Sequence, residues 1–273
     1  MRPVSKKRAG SGRPVLALLV PDGVGVRNFI LGKFLPLAGD RFEVHIFCGF
    51  PADLMPDEAA GYAVQEMPAY REGKVGGLLR YALQYAHMYR WRTPGMLRVL
   101  GEPRHHGWKS RLLHGTAKAL GRAHASGQGI RFLEANLHGI AGRHRLFGHY
   151  LETWERLRPE VVFCTHQRPS IVLPAILAAR RLGIPTATFI FSWDNLSSKG
   201  RIAAPYEHFL VWSPLMKEEM QRFYPEVSEE RIHVVGTPQF DPYADRQILM
   251  ERGDFFRCIG ADAERPLICY TGG

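Results

Sequence analysis

Apolar residues along the chain fall into short runs separated by longer stretches with helical spacing. The runs "VLALLV" (15–20), "FEVHIFCG" (42–49), "EVVFCTH" (160–166), "PTATFIFS" (185–192), "HFLVWS" (208–213) and "RIHVVG" (231–236) are rich in Val, Ile and Phe. None alternates cleanly with polar residues, which is the pattern of strands buried on both faces. A weaker run, "YAVQEMP" (62–68), and a last one, "RPLICYTGG" (265–273), complete the set. "FILGKFLPLAG" (29–39) predicts a helix closed by Gly39. "IVLPAILAARRLG" (171–183) predicts another, with Ser170 as its N-cap and Arg180 and Arg181 opposing the dipole in its last turn. "PLMKEEMQRFYP" (214–225) predicts a third, with Pro214 in the first turn. Strands alternating with helices imply right-handed βαβ units and one Rossmann-like parallel sheet of about six or seven strands.

In such a sheet ligands bind beyond the C-terminal ends of the strands. Three loops fall at those ends, so all three are expected along one edge. "DGVGVRN" (22–28) places Gly23 and Gly25 before a helix, a backbone-lined turn able to face an anion or a sugar. It lacks the third glycine of GxGxxG, and no acidic residue ends the second strand, so a dinucleotide site is weakly supported. An ordinary turn that needs glycine accounts for it equally well. Asp22 reads either as a base or as a cap. "THQRPS" (165–170) aims His166 at the same edge, with Gln167 and Arg168 beside it. "SWDNLSSKG" (192–200) is the most specific of the three. Trp193 could plug the sheet, and Asp194 and Asn195 could form an Asx turn. An aromatic platform, a carboxylate, an amide and the cation Lys199 in so short a span instead suit a polyhydroxylated ligand.

Charge changes the picture in one place. The 273 residues carry a formal net charge of +10, yet residues 71–150 hold fourteen Lys/Arg, eight His and three Asp/Glu. That block interrupts the βα rhythm with helical segments. In "GGLLRYALQYAHMYR", Leu79, Ala82, Ala86 and Tyr89 share one side, and Arg80, Gln84, His87 and Arg90 the other. This predicts an amphipathic helix with a basic face, and for this helix alone an ordinary surface helix with its apolar side in the core accounts for the pattern. The sum of fourteen cations against three anions, with Trp91 and Trp108 close by, is what suits an anionic membrane surface. Aromatics interleaved with cations in "RYALQYAHMYRWR" would also suit a nucleic acid, although no RRM, KH or zinc module is visible. The four cysteines lie far apart and read as small buried hydrophobes in a reducing compartment. The basic start, residues 1–13, reads as a disordered tail rather than a signal peptide. No run approaches the roughly eighteen apolar residues of a membrane span. No GxSxG elbow, HExxH or GxxxxGK[ST] occurs, and the His-rich "RHH" and "HGIAGRHRLFGH" have no metal-site spacing.

The segment "VFCTHQRPSIVLPAILAARRLGIPTATFIFSWDN" resembles the second half of the N-terminal domain of GT-B nucleotide-sugar enzymes. That group includes bacterial surface-polysaccharide glycosyltransferases and UDP-N-acetylglucosamine 2-epimerases. "RIHVVGTPQFDPY" (231–243) resembles the family's passage out of that domain, and "RPLICYTGG" the first strand and glycine loop of a second. The likeness is loose over 14–70 and good over 155–273. Epimerases carry Gly-Asp where this chain has His166-Gln167, and Glu-Ala-Gly-Leu-Arg where it has Ser192-Trp193-Asp194-Asn195. Both proton-shuttling carboxylate positions are therefore altered. "SWDNLSSKG" is also similar to the Trp-His-Gly-Thr-Pro-Leu-Lys motif of CDP-glycerol glycerophosphotransferases, with Asp194 in place of the His.

The resemblance implies a Rossmann-like acceptor-side domain over 14–243, with 71–150 a basic helical insertion. It implies that 244–273 is a linker and first strand of a truncated donor-binding domain, so that these residues alone are inactive. It implies metal-independent glycosyl transfer, without a cofactor, from a nucleotide-sugar donor to a glycan or lipid-linked acceptor. Asp194 and Asp22 are then the base candidates, with His166 third. Trp193 would stack on a sugar, with Asn195 beside it, and Arg27, Arg168 and Lys199 would contact phosphate. The expected place is the cytoplasm, at or near the inner membrane face. A non-enzymatic basic membrane-binding or nucleic-acid-binding module is the alternative of another class.

Overall fold

In a computed structural model, which describes residues 12–102, 107–245 and 249–270, the apolar runs assemble into one seven-stranded sheet. Its strands are β1 (Val15–Val20), β2 (Glu43–Cys48), β3 (Ala63–Glu66), β4 (Val161–Cys164), β5 (Thr186–Phe189), β6 (His208–Val211) and β7 (Ile232–Val234). They lie in the order β3-β2-β1-β4-β5-β6-β7, every neighbouring pair parallel. All six residues of β1 are buried, as a central strand covered on both faces requires.

The order reverses direction at β1, and right-handed crossovers then put the two halves' connections on opposite faces. Between β1 and β2 run α1 (Gly23–Gly25), a π-helical turn (Val26–Ile30) and α2 (Phe34–Arg41). Phe29, Ile30, Leu35 and Ala38 from this segment pack on Leu16, Leu18, Val20 and Phe163 of the sheet. The opposite face takes α8 (Leu173–Arg181) and α10 (Pro214–Phe223), which bury Ile176, Met216 and Met220 with Leu19, Cys164 and Val211; a single helical turn, α9 (Asn195–Ser198), follows β5. The chain is α/β, with a Rossmann-like parallel sheet.

The basic block forms the long connection from β3 to β4: α3 (Lys74–Trp91), α4 (Pro94–Gly101), α5 (Trp108–Ala123), α6 (Gly127–Ala141) and α7 (Arg145–Leu157). Trp154 of α7 is fully buried and donates its indole N–H to the Ala175 carbonyl at 2.9 Å, tying the block to α8. The block's three acids all hold arginines: Glu72 with Arg80 at 2.7 Å, Glu102 with Arg98 at 2.9 Å and Glu134 with Arg201 at 2.7 Å. Arg201 also pairs with Glu226.

Several local expectations change. Ala82 and Ala86 of α3 are buried as the pattern implies, but His87 is too, at 0% exposure. It sits among Trp91, Phe223 and Tyr224, so α3 is an internal helix and its polar side is no free basic face. Gly121 of α5 lies so close to α3 that a Cβ there would meet Tyr85 Cβ at 2.7 Å and the Ala82 carbonyl at 2.8 Å. Gly39 lies inside α2 rather than ending it. Ser170 opens a short 3-10 turn, and α8 begins at Leu173 without a side-chain cap. All four cysteines are free thiols; Cys48 and Cys164 are buried, whereas Cys258 and Cys269 are exposed. No helix among the described residues is long and apolar enough to cross a membrane. Residues 1–11 of the basic tail and the "RHH" run fall outside the described residues.

The described residues divide into two compact units after Pro238. The second holds α11 (Asp241–Asp245) and α12 (Arg252–Ile259), where Arg252 reaches the carbonyls of Ala263 and Arg265 at 3.1 and 3.2 Å. Residues 266–270, expected as a strand, make no ladder. A single strand without a neighbour has nothing to satisfy its backbone groups.

His87 makes a stability prediction. Neither ring nitrogen has a hydrogen-bond partner among the described residues. Burial, then the charges of Arg201, Arg168 and Arg90, push its pKa well below the usual value. The folded chain therefore keeps His87 neutral while the unfolded chain protonates it below about pH 6.5. Stability should fall on acidification through that range, by up to about 1.4 kcal/mol per pH unit from this group. Urea unfolding of His87→Leu should show a flatter pH dependence; an unchanged slope would remove His87 as the cause.

Candidate functional site

The reversal at β1 leaves a crevice beyond the C-terminal ends of β1 and β4, uncovered by either set of crossovers. Asp22 follows β1 and His166 follows β4. Their side chains meet there, with Nδ1 of His166 2.5 Å from Oδ2 of Asp22. The other oxygen, Oδ1, accepts from the backbone N–H of Val24 at 3.1 Å and of Gly25 at 3.3 Å. Asp22 thus caps α1 and holds the imidazole at once. Partial burial raises its pKa, but the His166 hydrogen bond and charge, with the Gly25 and Val24 amides, outweigh that and hold it below the usual carboxylate range.

Gly25 makes the meeting possible. A Cβ there would collide with Oγ1 of Thr165, which itself donates to the Leu19 carbonyl at 3.1 Å. Only a residue without a side chain lets the first turn come down onto the end of β4. The amides that an external anion would use at this turn are taken by the chain's own carboxylate. Gly23 has open space around it, and Arg27 is exposed with Nε donating to Asn28 Oδ1 at 3.0 Å.

His166 packs edge-on against Phe191, ring centroids 4.1 Å apart. Its Nε2 is buried without a hydrogen-bond partner among the described residues. Next to Nε2's loop, the buried Gln167 amide likewise has neither atom paired among the described residues.

The third loop is held by Arg168. Its Nε donates to Asn195 Oδ1 at 2.7 Å, Nη1 to the Gly200 carbonyl at 2.9 Å and Nη2 to the Asn195 carbonyl at 2.9 Å. Arg168 and Asn195 thus brace the loop from inside. Asp194 is occupied as well: Ser192 donates to Oδ1 at 2.5 Å and Ser198 to Oδ2 at 2.9 Å. Burial raises its pKa, but these hydroxyls and the charge of Lys199 outweigh that and keep the carboxyl below its usual range. Trp193 stands out at 67% exposure and does not plug the sheet. The insertion supports the loop from behind. Thr93 donates to the Ser197 carbonyl, and Gly200 abuts the backbone of Gln84 in α3.

Asp22, His166 and Gly25 therefore come together, and Arg168, Asn195 and Asp194 form one adjoining network. Sequence reasoning missed Phe191, Thr165 and the two serines. Ser192 and Ser198 flank Asp194 at −2 and +4, a spacing that could have marked it as a hydrogen-bonded turn. The contacts of Phe191 and Thr165 leave no local trace.

No protein-family model matches the sequence, and no curated protein matches it. Among solved structures the chain is similar to the UDP-GlcNAc 2-epimerase from Methanocaldococcus jannaschii, at 13% identity and a TM-score of 0.46, over 90% of this chain and 53% of that one. It is also similar to MurG of Acinetobacter baumannii, at 11% identity and a TM-score of 0.34, over 87% and 50% of the two chains. The chain thus spans about half the length of each. The Rossmann-like assignment rests on the observed sheet itself.

Arg168 offers a test of the loop's construction. Arg168→Ala should cost about 2–4 kcal/mol, because it leaves several buried acceptors unpaired. Hydrogen exchange should speed up across 192–200 before it does in β4 or β5. Arg168→Lys should not restore protection, since one ammonium cannot reproduce the guanidinium's fixed fork. Unaltered exchange in Arg168→Ala would show that the loop holds itself.

Proposed function

We propose that the sheet is the acceptor-side domain of a nucleotide-sugar glycosyltransferase of the GT-B type. The observation that carries the reading is the Asp22–His166 pair in the crevice at the strand-order reversal. Asp22 is an ionised acceptor, so it fixes the imidazole with its proton on Nδ1 and leaves the lone pair on Nε2. That is the arrangement of a general base with its orienting carboxylate. Nε2 would take the proton of an acceptor hydroxyl as that oxygen bonds to the anomeric carbon and the bond to the nucleoside diphosphate breaks. In this reading a partner Rossmann domain holds most of the donor.

Nε2 is covered in the state described, so a neighbouring group must move aside before an acceptor reaches it. Trp193 then offers a stacking face and Lys199 a cation at the rim. Arg168 serves as the brace of the loop, and Arg27 remains a rim group for phosphate. Asp194 is assigned to holding the turn, because both its oxygens accept serine hydroxyls and its pKa is lowered, which weakens it as a base. A glycan or a lipid-linked glycan is the acceptor, and the latter would place the protein at the cytoplasmic face of a membrane.

In protein that turns over a nucleotide-sugar donor, His166→Ala should lower kcat by about 10²–10⁴-fold. Asp22→Asn should lower it by a smaller factor, since the base remains but its tautomer is no longer enforced. Trp193→Ala should act mainly on the acceptor KM. Asp194→Asn should stay within about tenfold of wild type. A His166→Ala enzyme with normal kcat, or an Asp194→Asn enzyme as impaired as His166→Ala was expected to be, would overturn the assignment of the base.

A further inference from the structure

Helix α5 has two distinct sides. Its inner side, His114, Ala117 and Gly121, is pressed against α3. Its outer side exposes Trp108 at 71% and Leu112 at 64%, one turn apart. At about 100° per residue, Trp108, Leu112, Ala119 and Ala123 fall within roughly 60° of arc. Ala119 and Ala123 are exposed as well. Arg111 and Arg122, both exposed, flank one edge of this stripe, and Lys109 flanks the other. The Lys109 ammonium lies 5.6 Å from the Trp108 ring. Residues 108–133 contain five Lys/Arg and no Asp/Glu.

We propose that this face of α5 seats the protein on an anionic lipid surface. A helix with one side fixed to its own protein, and an outward apolar stripe edged by cations, has the form of an interfacial helix. Tryptophan suits the level of the headgroups, where its ring is apolar and its N–H remains wet. The absence of carboxylates removes repulsion from anionic headgroups, and each nearby cation adds attraction. The membrane face is thus carried by α5, and not by α3, whose polar side is internal. The inference rests on the transferase reading only for why a membrane would be visited; the surface argument stands on α5 itself. Failure to bind lipid would leave the Asp22–His166 assignment intact, and the reverse also holds.

The test uses the full chain and extruded vesicles, either phosphatidylglycerol with phosphatidylcholine or phosphatidylcholine alone. Co-sedimentation should show binding to the anionic vesicles, weakened at least about tenfold between 0.1 and 0.5 M salt, and little binding to the neutral ones. Trp108→Ser/Leu112→Ser should lower partitioning about tenfold or more while leaving the thermal midpoint unchanged, because both side chains are exposed. Lys109→Gln/Arg111→Gln/Arg122→Gln should remove most of the salt dependence. The tryptophan emission should shift to the blue on binding and lose most of that shift in Trp108→Phe, which still binds. Equal binding to both lipids, or undiminished binding by the double-serine variant, would overturn the proposal. So would finding that this variant abolishes self-association or binding to an RNA oligomer while its vesicle binding is unchanged.

Discussion

Parallel strands cannot be joined by tight turns, and their crossovers have one hand. In this protein the strand order turns back at β1, and that reversal is the constraint on which the rest depends. Because α2 returns over one face while α8 and α10 return over the other, neither set of crossovers covers the ends of β1 and β4. Two adjacent strands then deliver their next residues into the same space. Asp22 and His166, 144 residues apart in sequence, become neighbours for that reason. The close descent of Gly25 onto Thr165 sets how near they come.

A crevice made by backbone topology still needs walls. The wall on the β5 side is a loop around the single helical turn α9, and its remaining polar groups must be satisfied from within. Arg168 does this for Asn195 and Gly200, and the two serines do it for Asp194. Groups that looked like ligands are thereby engaged in holding the loop's shape. Trp193, at 67% exposure, is not so engaged, and neither is Nε2 of His166, which is buried and unpaired among the described residues.

The helical insertion serves the same crevice from behind. Its first helix, α3, is largely buried, its last, α7, is anchored through Trp154, and the Thr93 cap of α4 touches the loop. A block with few acids can pack this way because each acid is placed on an arginine. Glu134 does so across the chain with the buried Arg201. The excess cations are largely exposed, and α5, packed on α3, carries Lys109, Arg111 and Arg122 beside its exposed apolar stripe.

Much of the framework was legible beforehand. Runs such as "VLALLV" and "EVVFC" announce strands covered on both faces, and their alternation with helices announces a parallel sheet with three loops on one edge. Those are local signals, because period and β-branching act over a few residues. Helix ends were less legible: Gly39 and Ser170 look like terminators by type, but packing carried α2 past the one and delayed α8 beyond the other. The choice between rival roles was not local at all. Asp22 as base or cap, Arg168 as phosphate ligand or brace, and His87 as surface cation or buried ring depend on partners far away in sequence. A periodic pattern says that a helix has two sides; it does not say which side another helix will cover. For α3 both sides were covered, and for α5 an apolar stripe was left facing out, because only the tertiary arrangement sets how many neighbours each helix receives.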